Sequence, residues 1–362
     1  IYKYIQFFLH FSVIIIMSKW RNYFIITLLL CCSLKLCAQW ESPITQYWDV
    51  KGYYNPSYAG ITNNINTNAI YKYQWAGIEG APSRVVFTAD MPFTFLNNRH
   101  GAGIIAFTEN IGSLRNTLLA AQYSLKQQIG KGTLNIGLQA GIYNLRYDAG
   151  SVNLVTTTDQ ASLSKISANT AKKQVADISV GISWTAKRFY VGLSSLHVNQ
   201  PVFYVSNATG PTDNVSEYPL NNPSENPDNN SLHDFLNNSS DSIKSHIPLS
   251  FNLTAGYNIQ LLNSFEIQPM ILLLSNSSHT YTQATVQLKY DNKYSGGISW
   301  ISDDEYSIFA GTTMHGLGLG YAYTIHKSGF GKDSKGSHEL YLKYNFSVDY
   351  FKSQSHKSIR IL

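Results

Sequence analysis

His338-Glu339-Leu340-Tyr341-Leu342-Lys343-Tyr344-Asn345-Phe346-Ser347-Val348-Asp349-Tyr350 decides how the chain is read. Every second residue, from His338 through Leu340, Leu342, Tyr344, Phe346 and Val348 to Tyr350, is ring-bearing or aliphatic. Between them lie Glu339, Tyr341, Lys343, Asn345, Ser347 and Asp349. Successive strand residues face opposite sides, so this segment has one oily wall and one wet wall. It is long for a soluble strand and suits a tilted strand crossing a bilayer, where about 9 to 11 residues span the hydrocarbon.

The rhythm recurs. Leu249, Phe251, Leu253, Ala255, Tyr257 and Ile259 alternate with polar or small residues, as do Thr282, Ala284, Val286, Leu288 and Tyr290. Ile178, Val180, Ile182 and Trp184 do the same, and Leu317, Leu319, Tyr321, Tyr323 and Ile325 are spaced by Gly318, Gly320, Ala322 and Thr324. A period of two held this often predicts an all-β outer-membrane antiparallel barrel of about fourteen strands. The strands fall near 64–75, 83–93, 100–109, 114–128, 132–147, 175–186, 188–198, 247–260, 264–275, 279–290, 294–301, 305–312, 316–326 and 337–350. In the fifth strand the apolar parity slips at Tyr143, which a bulge or the exit from the membrane near Asn144 would explain. The three longest connections, 148–174, 199–246 and 327–336, all follow odd strands. Long loops on one face and short turns on the other is the construction of outer-membrane barrels.

Ahead of the barrel, Lys19 and Arg21, the apolar run Tyr23 to Leu34, and Leu36-Cys37-Ala38 before Gln39 read as a secretory leader. The expected start is Met17 and the expected cut lies between Ala38 and Gln39, so 1–38 is an upstream extension plus signal peptide. All three cysteines, Cys31, Cys32 and Cys37, fall in that segment, leaving the rest without a thiol. Losing Lys3, Lys19, Arg21 and Lys35 lowers the net charge from +5 to +1, which removes the compositional support for nucleic-acid binding. The expected organisation is then a periplasmic N-terminal segment at 39–63, a barrel at 64–350 and a tail at 351–362. The barrel's interior is expected to be polar and its ends ringed by aromatic residues.

Catalytic and cofactor patterns are weak. Gly316, Gly318 and Gly320 lie inside an alternating strand with no helix after them, so they read as small lumen-facing residues, and no cofactor is implied. The histidines, among them His100, His197, His326 and His338, are dispersed and predict no metal. Asp303-Asp304-Glu305 reads as a hairpin tip, and no convincing Ser/His/acid set is visible.

More distinctive are Asn55-Pro56-Ser57-Tyr58-Ala59-Gly60, a rigid turn with an aromatic plug, and Gln74-Trp75 followed by Gly77, Gly80, Ala81 and Pro82. In the second, Trp75 would sit at a bilayer interface before a glycine-proline turn. With Gly101-x-Gly103, Glu109 to Gly112, Asp177 to Gly181, Tyr190 to Ser194 with His197, Gln268-Pro269 and Ser337-His338-Glu339-Leu340, the chain resembles the PorP/SprF family of type IX secretion system membrane proteins. That resemblance implies a non-enzymatic component of the type IX secretion and gliding apparatus in a Bacteroidota-type outer membrane. It also implies partners: periplasmic ring lipoproteins, and secreted adhesins or cargo held by a C-terminal domain. The long loops would face outside, with Asn55–Gly60 and the short turns meeting the machinery beneath. Two other classes are weighed on the residues: a porin or small-solute channel, to which a polar lumen is suited, and a lipid-active barrel enzyme.

Overall fold

The computed structural model describes residues 43–147, 172–205, 243–262, 264–277 and 279–347. Ala38, Gln39 and the leader, the tail from 351, Val348 to Tyr350 and most of the two longest loops lie outside them. The strands are β1 (Asn64–Tyr73), β2 (Ser83–Phe95), β3 (Asn98–Ile111), β4 (Leu114–Ile129), β5 (Gly132–Tyr147), β6 (Lys172–Ala186), β7 (Phe189–Leu196), β8 (Val202–Val205), β9 (Ile243–His246), β10 (Ser250–Tyr257), β11 (Ile259–Leu262), β12 (Phe265–Asn276), β13 (Thr280–Tyr290), β14 (Tyr294–Ile301), β15 (Glu305–Met314), β16 (Leu317–His326) and β17 (Ser337–Ser347).

Antiparallel pairing runs in chain order from β1 to β7, steps to β10, and resumes from β12 to β17, which pairs back onto β1 from Asn64 opposite Ser347 to Tyr73 opposite His338. With β10 and β11 sharing one wall position beside β12, the result is a closed barrel of 14 strands. Closure satisfies the backbone within the sheet, which a wall in hydrocarbon requires. β8 and β9 form a separate hairpin inside the loop after β7.

The pleat assigns the two walls as the alternation requires. Leu340, Leu342, Tyr344 and Phe346 face outward and are 38–57% exposed, while Glu339 and Tyr341 face inward and are buried. Outward aromatics gather at the ends; Phe265, Tyr290 and Tyr294 form one such cluster at the short-turn end. Turns follow hairpin chemistry: Leu96-Asn97 and His315-Gly316 take the left-handed conformation that two-residue reversals need, and Asp303 and Asp304 take it within the three-residue connection 302–304.

Four expectations change. Pairing of β5 with both neighbours is unbroken, so there is no bulge at the parity slip; Tyr143 and Leu145 simply point inward. The lumen is therefore not uniformly polar, since Ile70, Val86, Phe107, Leu118, Leu272 and Ile301 also turn apolar groups inward in its long-loop half. The strand expected at 247–260 is two, interrupted at Asn258, whose N–H is drawn to Arg188 O at 2.6 Å. Finally, residues 43–60, expected below the membrane, lie inside the barrel.

Candidate functional site

The stretch from Pro43 to Gly60 is a plug made of three single turns: Tyr47–Asp49, Lys51–Tyr54 and Pro56–Tyr58. Local chemistry sets the last one. Asn55 precedes a proline and is held extended, its Oδ1 accepts the Ser57 N–H at 2.9 Å, and Pro56 occupies the first helical position.

Irregular backbone at membrane depth persists only when protein satisfies its polar groups. Here wall side chains take the plug's carbonyls one after another. Lys72 donates to Pro43 O; Gln283 to Thr45 O at 2.8 Å; Gln122 to Gly52 O at 2.8 Å. Ser194 and Asn252 both reach Tyr54 O, and Ser124 and Lys126 both reach Ala59 O at 2.7 Å. In the other direction, the N–H groups of Thr45 and Gln46 donate to the Glu339 carboxylate at 2.8 and 3.0 Å, and Gly60 N–H to Asp90 at 2.9 Å. Asn55 Nδ2 spans the β6–β7 seam from within, donating to Ile182 O at 3.2 Å and Leu193 O at 3.1 Å.

The wall has glycine where the plug comes closest. A Cβ on Gly181 would stand 2.0 Å from Asn55 Oδ1, one on Gly101 2.0 Å from Ala59 O, one on Gly137 2.2 Å from Ser57 N, and one on Gly192 2.4 Å from the Tyr58 hydroxyl. Gly60 itself has φ +61° and approaches Met91 O, so no other residue fits. Above this cradle the plug's rings pack edge-on: Tyr47 on Trp48 and Tyr54, Tyr53 on Phe107. Phe203 and Ile247, from either side of the β8–β9 hairpin, join the same apolar cluster.

Three charge pairs stand inside the barrel. Arg84 Nε donates to Glu109 at 3.0 Å, with a second ion contact at 2.8 Å lacking hydrogen-bond alignment, and Arg84 Nη1 donates to the plug's Tyr53 hydroxyl. Asp177 meets His197 Nδ1 at 2.6 Å, and Asp49 accepts from Lys343 at 2.9 Å. Burial alone would raise the Asp49 pKa, but Lys343 and Lys289 bring it below its ordinary value. Burial, reinforced by Lys289, pulls the Lys51 ammonium down to about 7 despite Asp49. Its Nζ lies 4.2 Å from the Tyr190 ring centre.

The remaining motif residues assemble the long-loop mouth. Gln74 N–H donates to Pro82 O, Ala81 N–H to Ile78 O, and Gly112 N–H to Gly80 O, with Gly77, Gly80 and Gly112 all at positive φ. Trp75 departs from its expected girdle position: it packs half-buried against Phe330, Gly331 and His326, because its backbone turns left-handed (φ 54°) and Ala76 is drawn to Gly336 O at 2.8 Å. His338 faces outward and meets the Tyr321 hydroxyl at 2.6 Å.

Sequence reading found no Ser/His/acid set, yet β15, β16 and β17 bring one together. Ser337 Oγ lies 2.7 Å from His326 Nε2, and His326 Nδ1 lies 2.7 Å from Glu305. Ser337 Oγ also accepts the Trp75 N–H at 3.0 Å and is buried, so the relay fastens three strands to the Trp75 turn. Glu305 thereby leaves the acidic tip that Asp303 and Asp304 form. The signals for the plug contacts were present but unread: rare charges at inward positions (Lys72, Arg84, Glu109, Asp177, Glu339) and glycines inside strands, which mark close backbone approach.

A closed 14-stranded barrel filled by its own N-terminal stretch defines a plugged outer-membrane barrel. The chain belongs to the PorP/SprF family: the model described as type IX secretion system membrane protein PorP/SprF matches residues 36–344. No curated protein matches it. Among solved structures, the toluene transporter TodX of Pseudomonas putida is similar at 9% identity and a TM-score of 0.44, covering 85% of this chain and 95% of that one. The translocator domain of the autotransporter NalP from Neisseria meningitidis gives 12% and 0.37, covering 78% and 86%. At such scores the likeness carries no argument about function. Family and fold are those of a secretion-system barrel, and membership associates the protein with that machinery in the outer membrane.

Proposed function

We propose that the protein is a non-enzymatic platform that supports export or surface attachment of secreted adhesins, or of other cargo through a C-terminal domain, in a gliding Bacteroidota-type cell. The leader ending at Ala38 delivers the chain to the periplasm; the long loops then face outside and the short turns face periplasmic ring lipoproteins. One observation carries this reading over a diffusion porin: residues 43–60 fill the lumen and have their carbonyls bonded by the wall. A porin needs a water-filled path, whereas a support needs rigid walls and an exposed rim.

The test removes 206–242 and joins Val205 to Ile243 through Asn-Gly. Those two residues already pair across the β8–β9 hairpin, so a two-residue turn closes it without disturbing Phe203 or Ile247. Loss of adhesin from the surface of cells whose barrel still inserts is the expected result. Undiminished retention removes this loop from the role, and steady planar-bilayer conductance by the intact protein favours the channel reading instead.

A further inference from the structure

On the short-turn rim, the β4–β5 and β6–β7 turns stand side by side, because β5 pairs with β6 and Gly132 lies opposite Ala186. The next residue beyond each strand end is a cation, Lys131 in one turn and Lys187 in the other, and Arg188 follows Lys187. All three are exposed, and none of their side chains has an ion pair or hydrogen bond among the described residues. Glu266, on β12, has that strand's inward parity and is bonded by Asn258. Three like charges gathered in this way repel one another, and an anion relieves the repulsion.

Toward the membrane centre the same strands change character. Trp184 lies over Gly132, where a Cβ would stand 2.4 Å from its ring, and Ile129 and Phe189 face outward at the same level, 48% and 40% exposed. A tryptophan beside a basic rim suits the boundary between headgroups and hydrocarbon. Four residues beyond Gly132, Ile136 joins Ile182, Leu193 and Leu253 in one outward row across β5, β6, β7 and β10. In the next row Ser195 stands between Val180 and Phe251, a small side chain between larger ones, in the apolar wall of a hollow of about 510 Å³. Four residues at about 3.4 Å each, on a strand tilted by roughly 40°, put the hollow about 10 Å from the rim, within one leaflet of a hydrocarbon layer about 30 Å thick.

We infer that this strip of the wall holds an anionic glycerophospholipid, its phosphate against Lys131, Lys187 and Arg188 and an acyl chain in the hollow beside Ser195. Arg and Lys give charge-assisted hydrogen bonds to phosphate oxygens, and the hollow offers a chain a fixed apolar wall. A zwitterionic lipid brings the same chain, but its ammonium opposes the three cations. Free phosphate brings the anion without the chain. An acidic protein would meet the cations and leave the hollow, which faces hydrocarbon, unused. The site consists of wall alone, so it stands apart from the plug and from the adhesin role.

Native mass spectrometry of the full-length barrel, titrated in detergent with dioleoyl phosphatidylglycerol, tests it; phosphatidylcholine of the same chains and inorganic phosphate are the controls. One phosphatidylglycerol per barrel is expected to bind at least tenfold more tightly than either control, a difference of about 1.4 kcal/mol or more. Lys131→Gln, Lys187→Gln and Arg188→Gln combined are expected to abolish the preference, and Lys293→Gln, on the exposed β13–β14 turn, to leave it unchanged. Ser195→Trp fills the hollow and is expected to weaken phosphatidylglycerol several-fold. Normal heat-modifiable migration shows that each variant has folded. Equal binding of the two lipids, phosphate binding as tightly as the lipid, or undiminished binding by Ser195→Trp overturns the inference. A preference undiminished in the triple variant overturns it too and leaves the cations to an acidic protein.

Discussion

Gly181 has no side chain because Asn55 occupies the space one would need. Gly181→Val would drive a branched group into the Asn55 amide and break its two bonds across the β6–β7 seam. The expected outcome in planar bilayers is steady conductance from the variant where the parent protein is silent, since the wall survives and only the plug loses its seat. Lys51 sets a pH dependence. Its pKa is about 7 with the plug seated and near the ordinary 10.5 when released, so the seated form holds fewer protons between those values. Raising the pH from 7 to 10 therefore favours seating, by up to about 1.4 kcal/mol per pH unit for one proton. Transient opening events are expected to become rarer across that range, and the trend to flatten in Lys51→Met. Asp49 acts in acid only: its depressed pKa adds stability that disappears as pH falls through that value.

At the level of the strand, alternation assigns each residue to lipid or lumen, and the cost of a charge follows from the assignment. Val286 faces outward near the middle of β13, paired with Pro269 and Ile298 on either side. Val286→Arg is expected to cost about 2–4 kcal/mol, and Tyr290→Arg, at the short-turn end of the same face, about 0–1 kcal/mol. Reversible denaturation in lipid vesicles, followed by tryptophan fluorescence, measures both. This scale was the most legible in the sequence: β5 and β14 have the ends expected of them, because pleat and turn chemistry are local. The bulge expected as one explanation of the parity slip at Tyr143 is absent for an instructive reason. Alternation between oily and wet walls presumes a wet lumen, and the pattern inverts where the lumen itself is apolar.

For the molecule as a whole, the plug decides whether the barrel is a passage or a support. Removing 43–60 eliminates the aromatic filling and leaves its polar cradle facing water, so the deletion variant is expected to conduct steadily in planar bilayers; a silent deletion variant would locate the block elsewhere. Membership in the secretion family was readable from short motifs whose structural purposes now separate. Asn55–Gly60 is the plug's lower turn, Gly101 and Gly181 are its cradle, Gln74–Pro82 and Ser337 build the long-loop mouth, and Glu339 receives the plug's first N–H groups. By itself the sequence determined most of the wall strands and the closed barrel of 14, since a period of two is a local property and lipid permits no open edge. Only the tertiary structure decided that residues 43–60 lie within rather than beneath. That placement depends on carbonyls and side chains up to 294 positions apart in the chain meeting in three dimensions, as Gln46 meets Glu339 at 293 and Asp49 meets Lys343 at 294. No periodicity records such distances.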